Sequence, residues 1–272
     1  MFIGREKELV LLQQDYVGKA LMVYGKRRVG KTTLIQKALN CCPYQTVYFE
    51  CLKGTIQENI DGLVDELVRA KILPVALSFN TLQDVFIYLN ALPQKMVVVI
   101  DEYPYLKVMN EPTTVDSVFQ SIVDNRLKNI ELILSGSHIG MMKDLLQEKN
   151  ALYGRFAVTI KLNELNYLDT AKFYPDKTPY DKVAHYAVFG GSPFVNQALR
   201  PTATLRENIV STILNPVSAV YLYASQLLLS DYSVKINAER IFAVIGNGKK
   251  RYSEIEDKLD VKKTGNLAKQ MK

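Results

Sequence analysis

Cysteine and histidine are scarce in this chain of 272 residues, with three of the first and two of the second. Cys41, Cys42 and Cys51 form an odd set without metal-ligand spacing, and two histidines cannot complete one. A disulfide scaffold and a zinc-type centre are therefore excluded, and the cysteines are expected to fill core positions in a reducing cytosol. The opening MFIGREKEL has no basic stretch running into an apolar one, so no secretory signal is expected. A membrane span is missing as well. Asn208 to Ser230 carries no charge, yet it holds Asn208, Asn215, Pro216, Gln226 and four serines. That is too polar for the roughly 20 mainly apolar residues that cross a bilayer. It reads as helical packing surface, in a cytoplasmic protein with no membrane contact.

What is present is ordinary in bulk and uneven in detail. Hydrophobic residues at 48 % and charged residues at 23 % suit a soluble globular chain with a buried core. The net charge of +6 is concentrated at one end: residues 232–272 hold ten Lys/Arg against five Asp/Glu, whereas residues 1–231 hold 24 against 23. A local basic excess of this kind either meets nucleic acid or forms a solvated helical face.

Five short runs without polar alternation recur along the first part: ALMVY (20–24), TVYFE (46–50), MVVVID (96–101), ELILSG (131–136) and FAVTI (156–160). Unbroken apolar runs suit strands covered on both faces, hence a parallel sheet with crossover helices. Lys31 to Asn40 and Thr55 to Lys71 supply two of those helices. Thr81 with Asp84 and Thr113 with Asp116 read as capping pairs that start two more. The expected organisation is an α/β core over residues 1–162, a helical lid over 163–231, and an incomplete winged helix-turn-helix over 232–272. The last piece reads as AERIFAVIG, RYSEIEDKLD and TGNLAKQMK, with Ser253 and Glu256 as a capping pair and Thr264 capping the final helix. No residues remain for a wing, so the sequence is expected to be part of a longer protein.

Chemistry is concentrated in Gly25-Lys-Arg-Arg-Val-Gly30-Lys31-Thr32, which fits G-x-x-x-x-G-K-[ST] between a strand and a helix. Gly25 and Gly30 let backbone N–H groups converge on phosphates, and the helix that follows points its positive end at them, with Thr33 in the same turn. Lys31 is expected to reach the β- and γ-phosphates and Thr32 to ligate Mg²⁺. That cation needs a carboxylate too, and VVVIDE places Asp101 at the carboxyl edge of a strand. Glu102, next along, suits a general base that prepares water for attack. Ser135 and Ser137 leave the following strand either as γ-phosphate sensors or as small turn residues. His138 reads as a helix-start residue. Arg155 lies before the fifth strand, on the rim away from the loop. It either acts in trans on a neighbouring subunit's nucleotide as an arginine finger or pairs with a local carboxylate.

Four motifs together, FIGREKE (2–8), the phosphate loop, VVVIDE and FGGSP (189–193), give a chain that resembles archaeal-type ATPases of the STAND class, relatives of AAA+ proteins. The resemblance implies strand order 5-1-4-3-2 and a helical lid followed by a winged helix. It implies adenine-side contacts from Gly4 and Arg5 and closure of Pro193 over the base. ATP in place of GTP rests partly on this likeness and on the lack of an N-K-x-D motif. The activity it implies is Mg²⁺-dependent ATP hydrolysis coupled to lid movement, with a possible homo-oligomer. The alternative is a nucleotide-gated DNA-binding or scaffold module using the basic residues Lys249, Lys250, Arg251, Lys262, Lys263 and Lys269. A nucleotide kinase is discounted, since residues 163–230 contain only Arg200 and Arg206.

Overall fold

The five apolar runs form five parallel strands: β1 (Ala20–Gly25), β2 (Gln45–Glu50), β3 (Met96–Asp101), β4 (Ile130–Gly136) and β5 (Phe156–Leu162). In the computed structural model, which describes residues 2–223, 238–248 and 251–259, they stand in the order 2-3-4-1-5. This is the expected order read from the other edge. Every residue of β1, β3 and β4 is buried, which explains their unbroken apolar character. Alternate residues feed two cores. Met22, Val98 and Ile100 face one side, with α3 (Ile56–Arg69), α4 (Leu82–Ala91) and α5 (Pro112–Asn125) supplying Leu63, Phe86 and Phe119. Leu21, Val23, Val97 and Val99 face the other, against Leu34 and Ile35 of α2 (Lys31–Leu39) and Leu12 of α1 (Glu6–Leu12).

Two compact units emerge. The first comprises residues through Pro175 together with Tyr186–Asn196, and the second Asp176–His185 together with residues from Gln197 onward. Further along the first unit are α6 (Ile139–Asp144) and α7 (Tyr167–Thr170). Helix α8 (Pro179–Phe189) runs through the division between the units, and α9 (Pro193–Ala198) begins in the first unit. In the second unit α10 (Leu205–Ser211) starts with a capping box of Thr204 and Glu207. Buried Asn208 there donates to the Arg200 carbonyl at 3.1 Å, and His185 contacts the Asp181 carbonyl at 2.7 Å. Helices α11 (Ala238–Gly246) and α12 (Tyr252–Leu259) occur where the tail was expected to be helical. Lys249, Lys250, Lys262, Lys263, Thr264, Lys269 and the third tail segment lie outside the described residues. Among the described residues no helix is long and apolar enough to cross a membrane.

Three local expectations are corrected. Helix α5 is capped by Glu111, which accepts from the Thr114 N–H at 2.7 Å, and not by Thr113 with Asp116. Pro112 sits at the first helical position, where its missing N–H costs nothing, and shifts the start. Asp116 is instead buried, accepting from Lys107 at 2.6 Å, Tyr103 at 2.6 Å and Asn150 at 2.8 Å. Helix α12 begins ahead of Ser253, with the Arg251 N–H donating to Glu254 at 3.3 Å, so Ser253 with Glu256 is not the cap. Of the cysteines only Cys51 is fully in the core; Cys42 is half-buried and Cys41 exposed.

Candidate active site

The site is built at the carboxyl ends of β1 and β3. Gly25 closes β1 opposite Leu162, and a side chain there would collide with the Leu162 carbonyl, so the strand can end only in glycine. Gly30 has φ 93°, a left-handed value that glycine adopts without strain, and caps α2. Lys31 follows and is buried, its Nζ donating to the carbonyls of Gly25 at 3.0 Å and Lys26 at 3.2 Å. Burial lowers the Lys31 pKa, and the charges of Glu102 and Asp101 oppose that shift. Thr32 and Thr33 complete the first turn with exposed side chains.

Asp101 ends β3 on the same rim, since parallel pairing sets Ile100 beside Leu134 and Tyr24 beside Gly136. The Thr32 hydroxyl donates to Asp101 Oδ2 at 3.2 Å. Asp101 Oδ1 accepts the Glu102 N–H at 2.9 Å. Glu102 takes a left-handed backbone, φ 49°, which turns the chain sharply out of the strand. Its carboxylate accepts from the N–H of Ser137 at 3.0 Å and from its hydroxyl at 2.9 Å. Ser137 therefore holds Glu102, whereas the Ser135 hydroxyl is buried without a hydrogen-bond partner. His138 does start a helix: its Nδ1 accepts from the Met141 N–H at 3.2 Å and caps α6.

The donor set suits a magnesium-bound phosphate. A threonine hydroxyl and a carboxylate are hard oxygen donors, a lysine ammonium stands beside them, and the loop carries no Cβ at Gly30. Among the described residues no cluster of three or more His, Cys, Asp or Glu could hold a metal alone. A cation here would thus need oxygens from its ligand and solvent, as magnesium in phosphate sites does.

The remaining expected site residues divide. Gly4, φ 69°, packs so closely that a Cβ would lie 2.8 Å from the Asp169 carboxyl carbon. Arg5, also left-handed, donates to the carbonyls of Val29, at 3.3 Å, and of Asn163, and so ties the opening segment to the phosphate loop and to the exit of β5. Pro193 begins α9, with its Cγ 3.9 Å from where a Cβ on Gly30 would stand. The Phe194 ring carries the Arg28 guanidinium at 3.9 Å from its centroid. The FGGSP segment is thus in contact with the phosphate loop. Arg155 stands at the opposite rim, where its guanidinium forms a two-pronged pair with Asp124 at 2.8 and 3.0 Å.

Two participants escaped the sequence reading. The Tyr48 hydroxyl of β2 donates to Asp101 Oδ2, and burial together with the Asp101 charge pushes its pKa up. Arg27 likewise reaches the Tyr105 hydroxyl across the mouth of the site. Neither contact leaves a periodic trace, because the partners stand 53 and 78 residues apart.

With this geometry in place, comparison with known proteins is informative. The profile of an ATPase domain predominantly from Archaea matches residues 2–195. The uncharacterized protein MJECL04 of Methanocaldococcus jannaschii is 32 % identical over 200 residues, covering 71 % of this chain and 43 % of that one. The chain therefore spans less than half the length of this relative. Among solved structures, the Walker-type ATPase PABY2304 of Pyrococcus abyssi superposes with a TM-score of 0.64 at 19 % identity, covering 97 % of this chain and 85 % of its own. The ORC2 protein of Aeropyrum pernix in its ADP form gives 0.61 at 12 % identity, with coverage of 99 % and 85 %. The ORC1 protein of the same organism, in complex with DNA, gives 0.53 at 14 %, with coverage of 94 % and 76 %. At these identities the structures attest the fold.

Proposed function

The chain belongs to the family of ATPase domains found predominantly in Archaea, and we propose that it is a magnesium-dependent ATPase working as a conformational switch of the STAND type. The observation that carries this reading is the meeting of Thr32 with Asp101 at 3.2 Å, with Lys31 and Glu102 on the same rim. Lys31 is the cation for the β- and γ-phosphates, and the N–H groups of Gly30 to Thr33 cradle them at the positive end of α2. Thr32 and Asp101 hold the magnesium. Held by these two residues, magnesium would supply neutralisation of the charge that develops on the transferred phosphoryl group. Glu102 orients a water and accepts its proton through Oε1, since both Ser137 hydrogen bonds go to Oε2. Ser135, with a buried hydroxyl that lacks a partner, is the candidate sensor of the terminal phosphate.

Adenine recognition is assigned to the Gly4–Arg5 segment and Pro193. The Arg28–Phe194 and Gly30–Pro193 contacts tie the phosphate loop to the FGGSP segment, which belongs to the helical lid expected over residues 163–231. Arg155 is left out of the catalytic set because its guanidinium is committed to Asp124. The test is phosphate release by the intact chain and by Glu102→Gln. Release should fall by about a hundredfold or more in the variant while ATP affinity persists. Equal rates, or none in either, would refute turnover.

A second reading, a nucleotide-gated DNA-binding protein, draws on the charge of residues 232–272, ten basic against five acidic. It requires duplex binding that weakens with salt and responds to ATP. Binding that ignores salt removes it.

A further inference from the structure

We propose that Tyr48 is a positioning residue for the cation-holding carboxylate of Asp101, an inference that rests on the phosphate-site reading above. Parallel pairing sets Glu50 of β2 beside Asp101 of β3 and Tyr48 beside Val99. The Tyr48 ring packs on the cluster that contains Val97, Val99 and the α2 residues Leu34 and Ile35. From that anchored ring the hydroxyl donates to Asp101 Oδ2, the oxygen that also accepts from Thr32. Oδ1 is held separately by the Glu102 N–H at 2.9 Å. Three donors from α2, β2 and the exit of β3 thus fix one carboxylate that is only 3 % exposed.

The three donors are not equivalent. Thr32 is itself a candidate ligand, so its hydroxyl oxygen is needed by the cation. The Glu102 N–H grips Oδ1 alone and leaves the group free to pivot about that oxygen. Tyr48 is the donor that holds Oδ2 without being a ligand. It is also neutral, so it fixes the carboxylate without placing a competing positive charge where magnesium must sit. A lysine or arginine at this position would give a stronger hydrogen bond and expel the cation. Outer hydrogen bonds of this kind typically govern metal affinity by a factor of about 10 to 100.

The experiment measures binding of a fluorescent ATP analogue to the full chain as magnesium is titrated, and again in EDTA, for wild type, Tyr48→Phe, Asp101→Asn and the double variant. Phenylalanine keeps the ring and removes only the donor. The half-saturating magnesium concentration should rise about tenfold in Tyr48→Phe, with affinity in EDTA and the thermal midpoint unchanged. Tyr48→Phe should add nothing on the Asp101→Asn background. An unchanged magnesium response in Tyr48→Phe overturns the proposal. So does an equal loss with magnesium and in EDTA, with or without a fall in the melting midpoint, because that is the mark of a structural role. A wild-type chain that fails to bind the analogue, or binds it without regard to magnesium, instead removes the phosphate-site reading on which the proposal stands.

Discussion

Glu131→Gln should stabilise the protein in a pH-dependent way. Glu131 is the second residue of β4 and is 3 % exposed, on the rim opposite the phosphate loop. It lines a small cavity with Leu12, Ala38, Cys42, Val97 and Ile133, and it accepts one long hydrogen bond, from the Tyr16 N–H at 3.3 Å. Burial, with a smaller contribution from Asp15, pushes its carboxyl from 4.5 up to about 7, against which the Tyr16 bond works. The folded state therefore binds the proton more tightly than the unfolded chain does. Below about pH 4.5 the acid is neutral in both states and folding carries no penalty. As pH rises towards 7 the unfolded chain ionises first, and stability is lost. A shift from 4.5 to about 7 corresponds to at most about 3 kcal/mol. Glutamine keeps an acceptor for Tyr16 and removes the charge. Urea denaturation followed by circular dichroism should show variant and wild type nearly equal at pH 4.5 and the variant ahead by up to about 3 kcal/mol at pH 8. Taking the difference at each pH cancels the titration of groups that do not sense the Glu131 charge, leaving only its neighbours Asp15 and Cys42 coupled to it. A difference that does not grow over this range would refute the reasoning.

Two other substitutions probe the frame around the site. Asp116→Ala leaves Lys107 buried without its counter-ion and strips the acceptor from Tyr103 and Asn150. Thermal or chemical denaturation should show a loss of about 3 to 5 kcal/mol. Gly191→Ala drives a Cβ into the Leu165 carbonyl, where the Leu165 N–H already donates to the Gly191 carbonyl at 2.9 Å. It should cost about 1 to 3 kcal/mol and weaken ATP binding through displaced Pro193; denaturation and an affinity titration check both.

The three central strands could be read from the sequence because burial on both faces demands unbroken apolar runs; the edge strands β2 and β5 are only partly buried, yet every strand lies within two residues of its run. The phosphate loop, Asp101 and Glu102 were legible because their spacing is fixed by local backbone geometry. What failed was assigned to local pairing where distant partners decided the outcome. Thr113 and Asp116 have capping-box spacing, but Lys107, Tyr103 and Asn150 claim Asp116. Ser135 and Ser137 look alike in LILSGS, and only the turn taken by Glu102 selects Ser137. Arg5, nominated for the base side, also donates to the carbonyls of Val29 and Asn163, partners that no local spacing announces. Tyr48 is one aromatic among several, distinguished by which face of β2 it occupies.

Strand length acts as a ruler in this architecture. β1 and β3 each span six residues, and their parallel neighbours fix where Gly25 and Asp101 surface. One residue gained or lost inside Met96–Asp101 would move the acid by about 3.3 Å and flip it to the other side of the sheet, away from Thr32. Descendants of this chain are therefore free to lengthen loops and exchange surface residues, while insertions and deletions within that central segment are forbidden.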